Sequence, residues 1–324
     1  MTWLITGGAG YIGGHVVKEL TGAGEPVVVL DDLSSGSADR LPAGVPLVEG
    51  STLDRPLLDK VIAEHGVTGI LHIAAKKQVG ESVDEPLRYY RENVEGLRLV
   101  LEAAVAGGVR RILLSSSAAV YGMPDVDLVT ESTPCAPINP YGETKLVGEW
   151  LLNACATAYG TSTVALRYFN VAGAATPELS DEGVTNLVPM VFERLAAGQP
   201  PRVFGADYPT PDGTCVRDFI HVSDIASAHL AAVRRLNAAG PDERVNLTLN
   251  IGRGEGVSVQ EMLTVIGEVT GLDTTAEVTP RRPGDPARVV AAADLIRQEL
   301  GWSARYDVRE TVASAWAGWQ HRHP

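Results

Sequence analysis

A glycine-rich loop near the N-terminus is the feature that most constrains this chain. The segment TGGAGYIG, residues 6–13, directly follows a short apolar run at Leu4 and Ile5 and opens a stretch of helical character. Glycines in the first turn between a strand and a helix let the backbone approach a pyrophosphate, and the free N–H groups of the helix N-terminus attract its charge. We therefore predict a dinucleotide site in which Gly7, Gly10 and Gly13 lie against the phosphates.

An aspartate follows at the distance that such a site requires. Asp31 ends the next apolar run, residues 27–30, about 20 residues beyond the loop. A carboxylate there accepts hydrogen bonds from the adenosine ribose hydroxyls and repels a 2′-phosphate, which favours NAD over NADP. The neighbouring Asp32 is an alternative for this role.

Short apolar runs alternate with longer amphipathic stretches through the first half of the chain. A helix from about residue 84 to residue 106 is the clearest, and Gly107 and Gly108 end it. The candidate strands are residues 4–5, 27–30, 45–48, 69–73, 111–114 and 162–166. Strands separated by helices of this length predict right-handed βαβ units, so the expected fold class is α/β with a Rossmann-like, doubly wound parallel sheet.

The second half of the chain has frequent proline and glycine and only scattered apolar runs. We predict helices near residues 223–236 and 257–270 and a long ordered loop at residues 198–214. This pattern indicates a smaller mixed α/β lobe. We place an NAD-binding Rossmann domain at residues 1–169 and the lobe, which binds the substrate, at residues 170–324, and we allow for exchange of chain between the two.

Composition excludes several classes of partner. The 324 residues carry a formal net charge of −13, so we expect neither nucleic acid nor a membrane surface as a partner. There is no apolar run of bilayer-spanning length and no secretion signal at the N-terminus, so we expect a cytoplasmic protein. The three cysteines, Cys135, Cys155 and Cys215, fit neither a disulfide framework nor a zinc site, and we expect reduced thiols and no bound metal.

A tyrosine and a lysine four residues apart supply candidate chemistry. Tyr141 and Lys145 lie on one face of a helix for which Asn139 is a suitable N-cap and Pro140 a suitable first residue. An ammonium group beside a phenol lowers the pKa of the phenol, and a positively charged nicotinamide ring acts in the same direction. We predict that Tyr141 is a base and that Ser117, at the end of the preceding strand, hydrogen-bonds the reacting oxygen and passes on its proton.

Longer motifs carry a resemblance to a known family. They are VGESVDEPLRYYRENVEG (79–96), SSSAAVYG (115–122), NPYGETK (139–145), LRYFN (166–170), FGADYPTPDGTCVRDFIHVSDIA (204–226) and RRPGD (281–285). With the glycine loop they resemble the extended short-chain dehydrogenase/reductases over nearly the whole chain, and within that family the UDP-glucose (UDP-galactose) 4-epimerases. The segment from Phe204 to Val222 is highly specific, whereas the glycine loop and the Tyr-x-x-x-Lys spacing mark only the superfamily.

The resemblance implies roles for individual residues. Tyr141 matches the base, Lys145 its partner, and Ser117 the serine that assists proton transfer. Positions that contact the cofactor are Tyr11, Ile12, Asp31, Ala74, Lys77, Asn93 and, at the nicotinamide, Tyr168 with Phe169. Positions that contact the UDP-sugar are Asn170, Asn186, Leu187, Phe204, Arg217, Arg282 and Asp285. The chemistry of these side chains agrees, since Arg217 and Arg282 suit a diphosphate, Phe204 suits uracil, and Asp285 suits a ribose.

The implied activity is reversible inversion at C4 of UDP-glucose and UDP-galactose, through a transient 4-keto sugar and NADH. Val289 aligns with a position where a small side chain leaves room for an N-acetyl group, so UDP-GlcNAc and UDP-GalNAc are expected as further substrates. A homodimer through the helices near residues 84–106 and 141–159 is also implied. The chain departs from the family at Ser51, where an aspartate usually holds the adenine amino group, so that contact is expected to be weaker or replaced.

Three alternatives remain open at the level of sequence. A dehydratase or decarboxylase of the superfamily would carry acidic residues after the strand-end serine, and the stretch SAAVYG from Ser117 has none. An epimerase of UDP-glucuronate or of a UDP-pentose is poorly distinguished by the pocket sequence. A non-catalytic NAD-binding protein should have lost Tyr141 or Lys145, and both are present.

Overall fold

The computed structural model describes residues 1–240, 243–282 and 284–323 and divides the chain into two compact units. The first unit comprises Met1–Val120, Pro137–Arg167 and Ala226–Leu249. The second comprises Tyr121–Ala136, Tyr168–Ile225 and Asn250–Pro324. The prediction divides the chain at residue 169 and allows for exchange of chain between the two parts; in these units residues 121–136 lie in the second and residues 226–249 in the first.

Strands and helices alternate along the chain. The strands are β1 (Thr2–Thr6), β2 (Val27–Asp31), β3 (Leu47–Glu49), β4 (Val67–His72), β5 (Arg111–Ser117), β6 (Ser162–Tyr168), β7 (Asn170–Ala172), β8 (Arg202–Phe204), β9 (Val216–His221), β10 (Asn246–Ile251), β11 (Gly256–Ser258), β12 (Glu277–Thr279) and β13 (Arg288–Val289). The helices are α1 (Tyr11–Gly22), α2 (Arg55–Glu64), α3 (Val79–Asp84), α4 (Pro86–Tyr89), α5 (Gly96–Ala106), α6 (Pro140–Tyr159), α7 (Leu187–Ala196), α8 (Val222–Ala238), α9 (Val259–Thr270), α10 (Asp294–Leu300) and α11 (Val308–Arg322).

Among the described residues, a seven-stranded sheet forms the centre of the first unit. Its strand order is β3-β2-β1-β4-β5-β6-β10, and the pairs from β3 to β5 are parallel. This is the doubly wound order, and it brings the carboxyl ends of β1 and β4 together where the order reverses. The prediction of a Rossmann-like α/β fold is therefore confirmed, although β10 has no counterpart among the predicted strands.

Unbroken apolar runs explain why these segments form central strands. β2 reads VVVLD with every residue buried, and β1 places Trp3, Leu4 and Ile5 in the interior. Sheets that are covered by helices favour such runs over simple alternation, because both faces of each strand are out of water. One face of this sheet packs against α2 and α5, in a core that includes Leu4, Val28, Leu58, Ile70, Leu97, Val100 and Ile112.

The helix predicted at residues 84–106 is interrupted. Pro86 begins α4 after α3 has ended, as suits a residue without an N–H, and a π-helical turn at Tyr90–Glu95 then leads into α5. Turns of this kind are rare and often mark functional positions. The far end is as predicted: α5 ends before Gly107, and Gly108 adopts a left-handed φ of 70°.

The second unit contains two smaller sheets. In one, β9 pairs with β7, β11 and β13, and in the other β8 pairs with β12. The predicted helices near residues 223–236 and 257–270 correspond to α8, which continues into the first unit, and α9. The loop predicted at residues 198–214 contains strand β8, because Val203 is buried in the core with Phe192, Phe219, Met262 and Trp319. No helix in the described ranges combines the length and the apolar character needed to cross a bilayer.

Candidate active site

The glycine loop after β1 is packed so closely that side chains would not fit. A Cβ added to Gly7, which has φ 74°, would lie 2.6 Å from the backbone nitrogen of Ala74. A Cβ added to Gly13 would lie 2.0 Å from the carbonyl oxygen of Gly7. Gly10 is the N-cap of α1 and makes no side-chain capping bond, so the first turn of the helix presents backbone N–H groups to an anion. The loop therefore fits the pyrophosphate of a dinucleotide.

Asp31 is bonded to the glycine loop itself. Its Oδ2 accepts a hydrogen bond from the N–H of Ala9 at 2.9 Å, and its Oδ1 accepts one from the N–H of Leu33 at 2.9 Å. Leu33 has φ 55°, a left-handed conformation that is uncommon for leucine and that this bond helps to hold. Carboxylate oxygens accept more than one bond, so Asp31 can also accept from ribose hydroxyls. Asp32 instead accepts from the N–H of Ser34, away from the loop.

Two side chains fix the segment that follows β4. The Oδ1 of Asn93 accepts from the N–H of Lys76 at 2.7 Å, and its Nδ2 donates to the carbonyl oxygen of Lys76 at 3.0 Å. The hydroxyl of Tyr89 accepts from the N–H of Gln78 at 2.9 Å. Lys77, a predicted cofactor contact, is therefore held between two anchored residues.

Helix α6 carries the predicted catalytic pair next to the end of β5. Asn139 caps this helix by accepting a backbone N–H bond at 2.9 Å, and Pro140 is its first residue, as predicted. The Nζ of Lys145 donates to the carbonyl oxygen of Ser115 at 3.0 Å. The same Nζ lies 5.9 Å from the ring centroid of Tyr141. Tyr141 and Lys145 therefore share one face of α6, as their spacing of four residues predicts, and this face lies against the end of β5.

Burial controls the ionisation of this pair. Burial raises the pKa of Tyr141, and a hydrogen bond with Ser117 partly opposes that rise. Burial also lowers the pKa of Lys145 to about 8, against the effect of the nearby Glu149 carboxylate. The pKa of Tyr141 is therefore raised overall, because burial disfavours the phenolate. The lowering expected from Lys145 together with the nicotinamide ring stays a prediction.

A cavity in the second unit brings the predicted substrate residues together. Its volume is about 340 Å³, within the range of small-molecule sites. All seven residues that the resemblance assigns to the UDP-sugar line it, namely Asn170, Asn186, Leu187, Phe204, Arg217, Arg282 and Asp285. Val289 is not among the lining residues; it is buried in β13, in register with Arg217 of β9.

The charged and aromatic groups of this cavity are arranged in pairs. The Nη2 of Arg217 lies 3.0 Å from the Oδ1 of Asp285, and its Nη1 donates to the carbonyl oxygen of Val216. The guanidinium of Arg282 lies 3.7 Å from the ring centroid of Phe204. An aromatic ring and two guanidinium groups in one cavity suit a flat base joined to a diphosphate.

Two other predicted positions, Tyr168 and Ser51, are not among the residues that line this cavity. Tyr168, assigned to the nicotinamide, is half-buried at the end of β6, and Phe169 beside it is buried. The hydroxyl of Ser51, which stands where the family has an aspartate, accepts from the N–H of Leu53 at 3.1 Å. This short side chain supports its own turn and carries no charge for an adenine amino group.

Sequence reasoning did not identify three side chains that support the site. Tyr89 has no local signal, because its contact joins the end of α4 to Gln78, eleven residues earlier in the sequence. Glu149 continues the Tyr-x-x-x-Lys pattern by one more turn of α6, which is a usable signal, and it pairs with Arg167 of β6. Both contacts join segments that are distant in sequence, and spacing alone does not reveal them.

Comparison with known proteins agrees with this site. Residues 3–252 match the family described as the NAD dependent epimerase/dehydratase family. The UDP-glucose 4-epimerase of Azospirillum brasilense is 44% identical over 98% of this chain and 91% of its own length. A solved UDP-glucose 4-epimerase from Bifidobacterium longum, in complex with NAD+ and UDP, has a TM-score of 0.90 at 35% identity and covers 100% of this chain and 99% of its own.

A second solved structure extends the similarity. The UDP-Glc/GlcNAc 4-epimerase from Campylobacter jejuni has a TM-score of 0.87 at 36% identity, with 99% of each chain covered. These matches run through the glycine loop, the Tyr-x-x-x-Lys helix and the second unit alike. The chain therefore belongs to the NAD dependent epimerase/dehydratase family.

Proposed function

We propose that this chain is a UDP-glucose 4-epimerase, which inverts C4 of UDP-glucose and UDP-galactose with bound NAD. The observation that carries the proposal is the pairing of Tyr141 with Ser117 at the carboxyl end of β5, on the same sheet edge as the glycine loop after β1. The 44% identity with a UDP-glucose 4-epimerase over nearly the full length supports the substrate class. The carboxylate-free stretch SAAVYG argues against a dehydratase.

Proton transfer is the part of the reaction that this chain's own residues perform. Tyr141, as the phenolate, takes the proton of the C4 hydroxyl, directly or through Ser117, and the phenol so formed later returns that proton to the inverted C4 oxygen. Lys145 stabilises the phenolate that is present before the first step and after the last. When bound, NAD supplies a temporary acceptor for the C4 hydride, so the sugar is recovered without net oxidation.

Binding of the nucleotide is assigned to the cavity of the second unit. Arg217 and Arg282 hold the diphosphate, and Phe204 packs against the uracil. The UDP must be held firmly while the sugar stays loosely held, because the 4-keto sugar has to present its opposite face. The cavity therefore provides affinity through the part of the substrate that does not react.

The test is to incubate the purified protein with UDP-galactose and to follow UDP-glucose by anion-exchange chromatography, without added NAD. We expect conversion towards an equilibrium mixture, and NAD in the supernatant after the protein is denatured. No UDP-glucose even with NAD added, or a product that has lost water, would overturn the proposal.

We extend the proposal to the N-acetylated sugars. The similarity to the UDP-Glc/GlcNAc 4-epimerase from Campylobacter jejuni supports it. UDP-GalNAc in the same assay is expected to give UDP-GlcNAc, and its failure to react would remove this extension. UDP-glucuronate and UDP-pentoses are tested in the same assay. Turnover of one of these in place of UDP-galactose would identify the alternative epimerase activity.

Replacing Arg217 by alanine is expected to weaken UDP binding by roughly 10-fold to 100-fold, because a charge-assisted contact contributes about 1.5–3 kcal/mol. The affinity for UDP is measured by isothermal titration calorimetry, and the NAD content should not change. The control is Arg309→Ala, which removes an exposed ion pair between Arg309 of α11 and Glu268 of α9 and should leave UDP affinity unaltered. Equal losses in both variants would contradict the role of Arg217.

We also propose that the protein is a cytoplasmic homodimer. Large apolar side chains are exposed on α3, α4, the π-helical turn and α6, namely Val79, Val83, Leu87, Tyr90 and Trp150. Leu87 is 84% exposed and Trp150 is 60% exposed, values that favour burial against another copy. The described cysteines are free thiols, as suits the cytoplasm.

Leu87→Arg is expected to shift the protein from dimer to monomer in sedimentation velocity at micromolar concentration, since a buried unpaired charge opposes association. Leu272→Arg, at a site 41% exposed just after α9, should leave the mass unchanged. A wild-type protein that sediments as a monomer would remove the dimer proposal.

A further inference from the structure

A buried ion pair lies one helical turn beyond Lys145 and is not used by the mechanism above. The carboxylate of Glu149 accepts from the Nε and Nη2 of Arg167 at 2.8 and 2.5 Å, and from the hydroxyl of Ser116 at 2.5 Å. The side chains of Glu149 and Arg167 are only 4% and 7% exposed. The pair joins α6 to β5 through Ser116 and to β6 through Arg167.

Stability does not explain this arrangement. Removing two charges from water costs free energy that their attraction often fails to recover, and apolar residues of similar volume commonly serve as well or better. Other buried positions of α6, Leu146 and Leu152, are apolar. The charge of Glu149 therefore calls for a second role.

Its position relative to Lys145 suggests that role. Tyr141, Lys145 and Glu149 recur every four residues on the buried face of α6. The Nζ of Lys145 bonds the carbonyl oxygen of Ser115, and the next residue, Ser116, bonds Glu149. Lys145 and Glu149 therefore contact neighbouring residues of β5, Ser115 and Ser116. A shift of α6 along the sheet would disturb both contacts.

Among the described residues, the other titratable groups close to Lys145 are two histidines and Tyr141, and they supply no compensating negative charge. His72 of β4 has its pKa lowered to about 3 by burial and by the charge of Lys145, so it is neutral. Its Nδ1 is 2.8 Å from the hydroxyl of Thr6. His229 of α8 lies on the far side of Ser115, with its Nε2 2.9 Å from that hydroxyl. On α6 itself, burial favours the neutral phenol of Tyr141.

We propose that Glu149 is a positioning residue for the Lys145–Tyr141 pair, which it serves by fixing α6 against β5 and β6 and by placing a buried negative charge beside the ammonium group. Burial lowers the pKa of Lys145 to about 8, and the Glu149 carboxylate opposes that decrease. Without the carboxylate, Lys145 would lose its proton at lower pH and would no longer stabilise the phenolate. The kinetic part of this inference rests on the proposed epimerase function, whereas the effect on Lys145 does not.

The direct test is the titration of Lys145 by NMR with lysine labelled at Cε. The chain has only five lysines, so the signals are few, and Lys145→Met assigns the relevant one. In Glu149→Gln we expect the pKa of Lys145 to fall by about one unit, since an anion is lost and the cation of Arg167 stays. In Arg167→Met the pKa should rise instead. A purely structural role of the ion pair would not shift the pKa of Lys145 in opposite directions in the two variants.

Two further variants keep the test usable if a single substitution prevents folding. Glu149→Gln with Arg167→Met removes both charges and should lower the pKa of Lys145 by less than Glu149→Gln alone. Glu149→Asp keeps the charge and should restore a value within a few tenths of a unit. Thr157→Ala is the matched control, because it removes an exposed hydrogen bond of the same helix, from Thr157 to the carbonyl oxygen of Asn153, and no charge, so the titration should not change.

Kinetics give the second measurement. Activity requires the charged lysine, so kcat should decrease as the pH rises above the pKa of Lys145. If the pKa of Lys145 falls by one unit, the alkaline limb of the kcat–pH profile moves to lower pH by one unit. At pH values well above that pKa, kcat is then lower by about 10-fold. An unchanged Lys145 titration in folded Glu149→Gln, or in folded Arg167→Met, would overturn the inference. If the wild type fails to epimerise UDP-galactose, the proposed function fails, and the NMR titration still decides the role of Glu149.

Discussion

Replacing Tyr141 by phenylalanine is expected to lower kcat with UDP-galactose by roughly 100-fold to 10,000-fold, the usual contribution of a positioned acid or base. The change removes one oxygen and keeps the ring, which is 9% exposed, so the fold should persist. UDP affinity should also persist, because the residues assigned to UDP lie in the cavity of the second unit. The measurement is kcat from the chromatographic assay, with UDP affinity from calorimetry.

The control for Tyr141 comes from the same helix. Tyr159 ends α6 and is 50% exposed, so Tyr159→Phe should leave kcat within about twofold of the wild type, as surface changes usually do. Near-normal turnover in Tyr141→Phe would show that another group takes the C4 proton. A loss of UDP affinity equal to the loss of kcat would show instead that the variant has lost its binding site.

The second large effect is expected for Gly13→Ala. The new Cβ would lie 2.0 Å from the carbonyl oxygen of Gly7 and 2.7 Å from the Cα of Gly8, and neither is the flexible end of a side chain. The backbone must shift, which costs about 1–3 kcal/mol and disturbs the turn that faces the pyrophosphate. We expect at least a tenfold decrease in the NAD that co-purifies, with a matching loss of activity.

A glycine at the other end of the same helix provides the comparison. A Cβ added to Gly22 meets nothing within 4 Å, so Gly22→Ala should stabilise the protein slightly, by up to about 1 kcal/mol, and should not change the NAD content. NAD content is measured by absorbance after denaturation, and stability by chemical unfolding. Full NAD occupancy in Gly13→Ala would mean that the close approach of the loop does not matter for the cofactor.

Local signals made much of the first unit predictable. The glycine loop, the cap at Asn139 and the stop at Gly107 each involve residues close in sequence, so spacing is enough to identify them. The unbroken apolar run of β2 indicates a buried strand for the same reason. The handedness of βαβ units then restricts the possible orders of the sheet to a few.

Features that depend on contacts distant in sequence were not predictable in this way. β10 joins the central sheet at its edge beside β6, far from it in sequence, and its run NLTLNI alone does not mark it as a sheet member. The π-helical turn at Tyr90–Glu95 interrupts a pattern that is regular for a helix. The rise in the pKa of Tyr141 depends on burial, which no count of charges near it in the sequence reveals.

The path of the chain between its two units has a consequence for how such an enzyme can acquire new substrates. Successive segments alternate between the units, with crossings after Val120, Ala136, Arg167, Ile225 and Leu249. A gene recombined at any single point would therefore build at least one of the two units from two different parents, whose core residues would then have to match. New sugar specificities in this lineage should arise by point substitution in the cavity, and fragments ending near residue 169 should fail to fold when expressed alone.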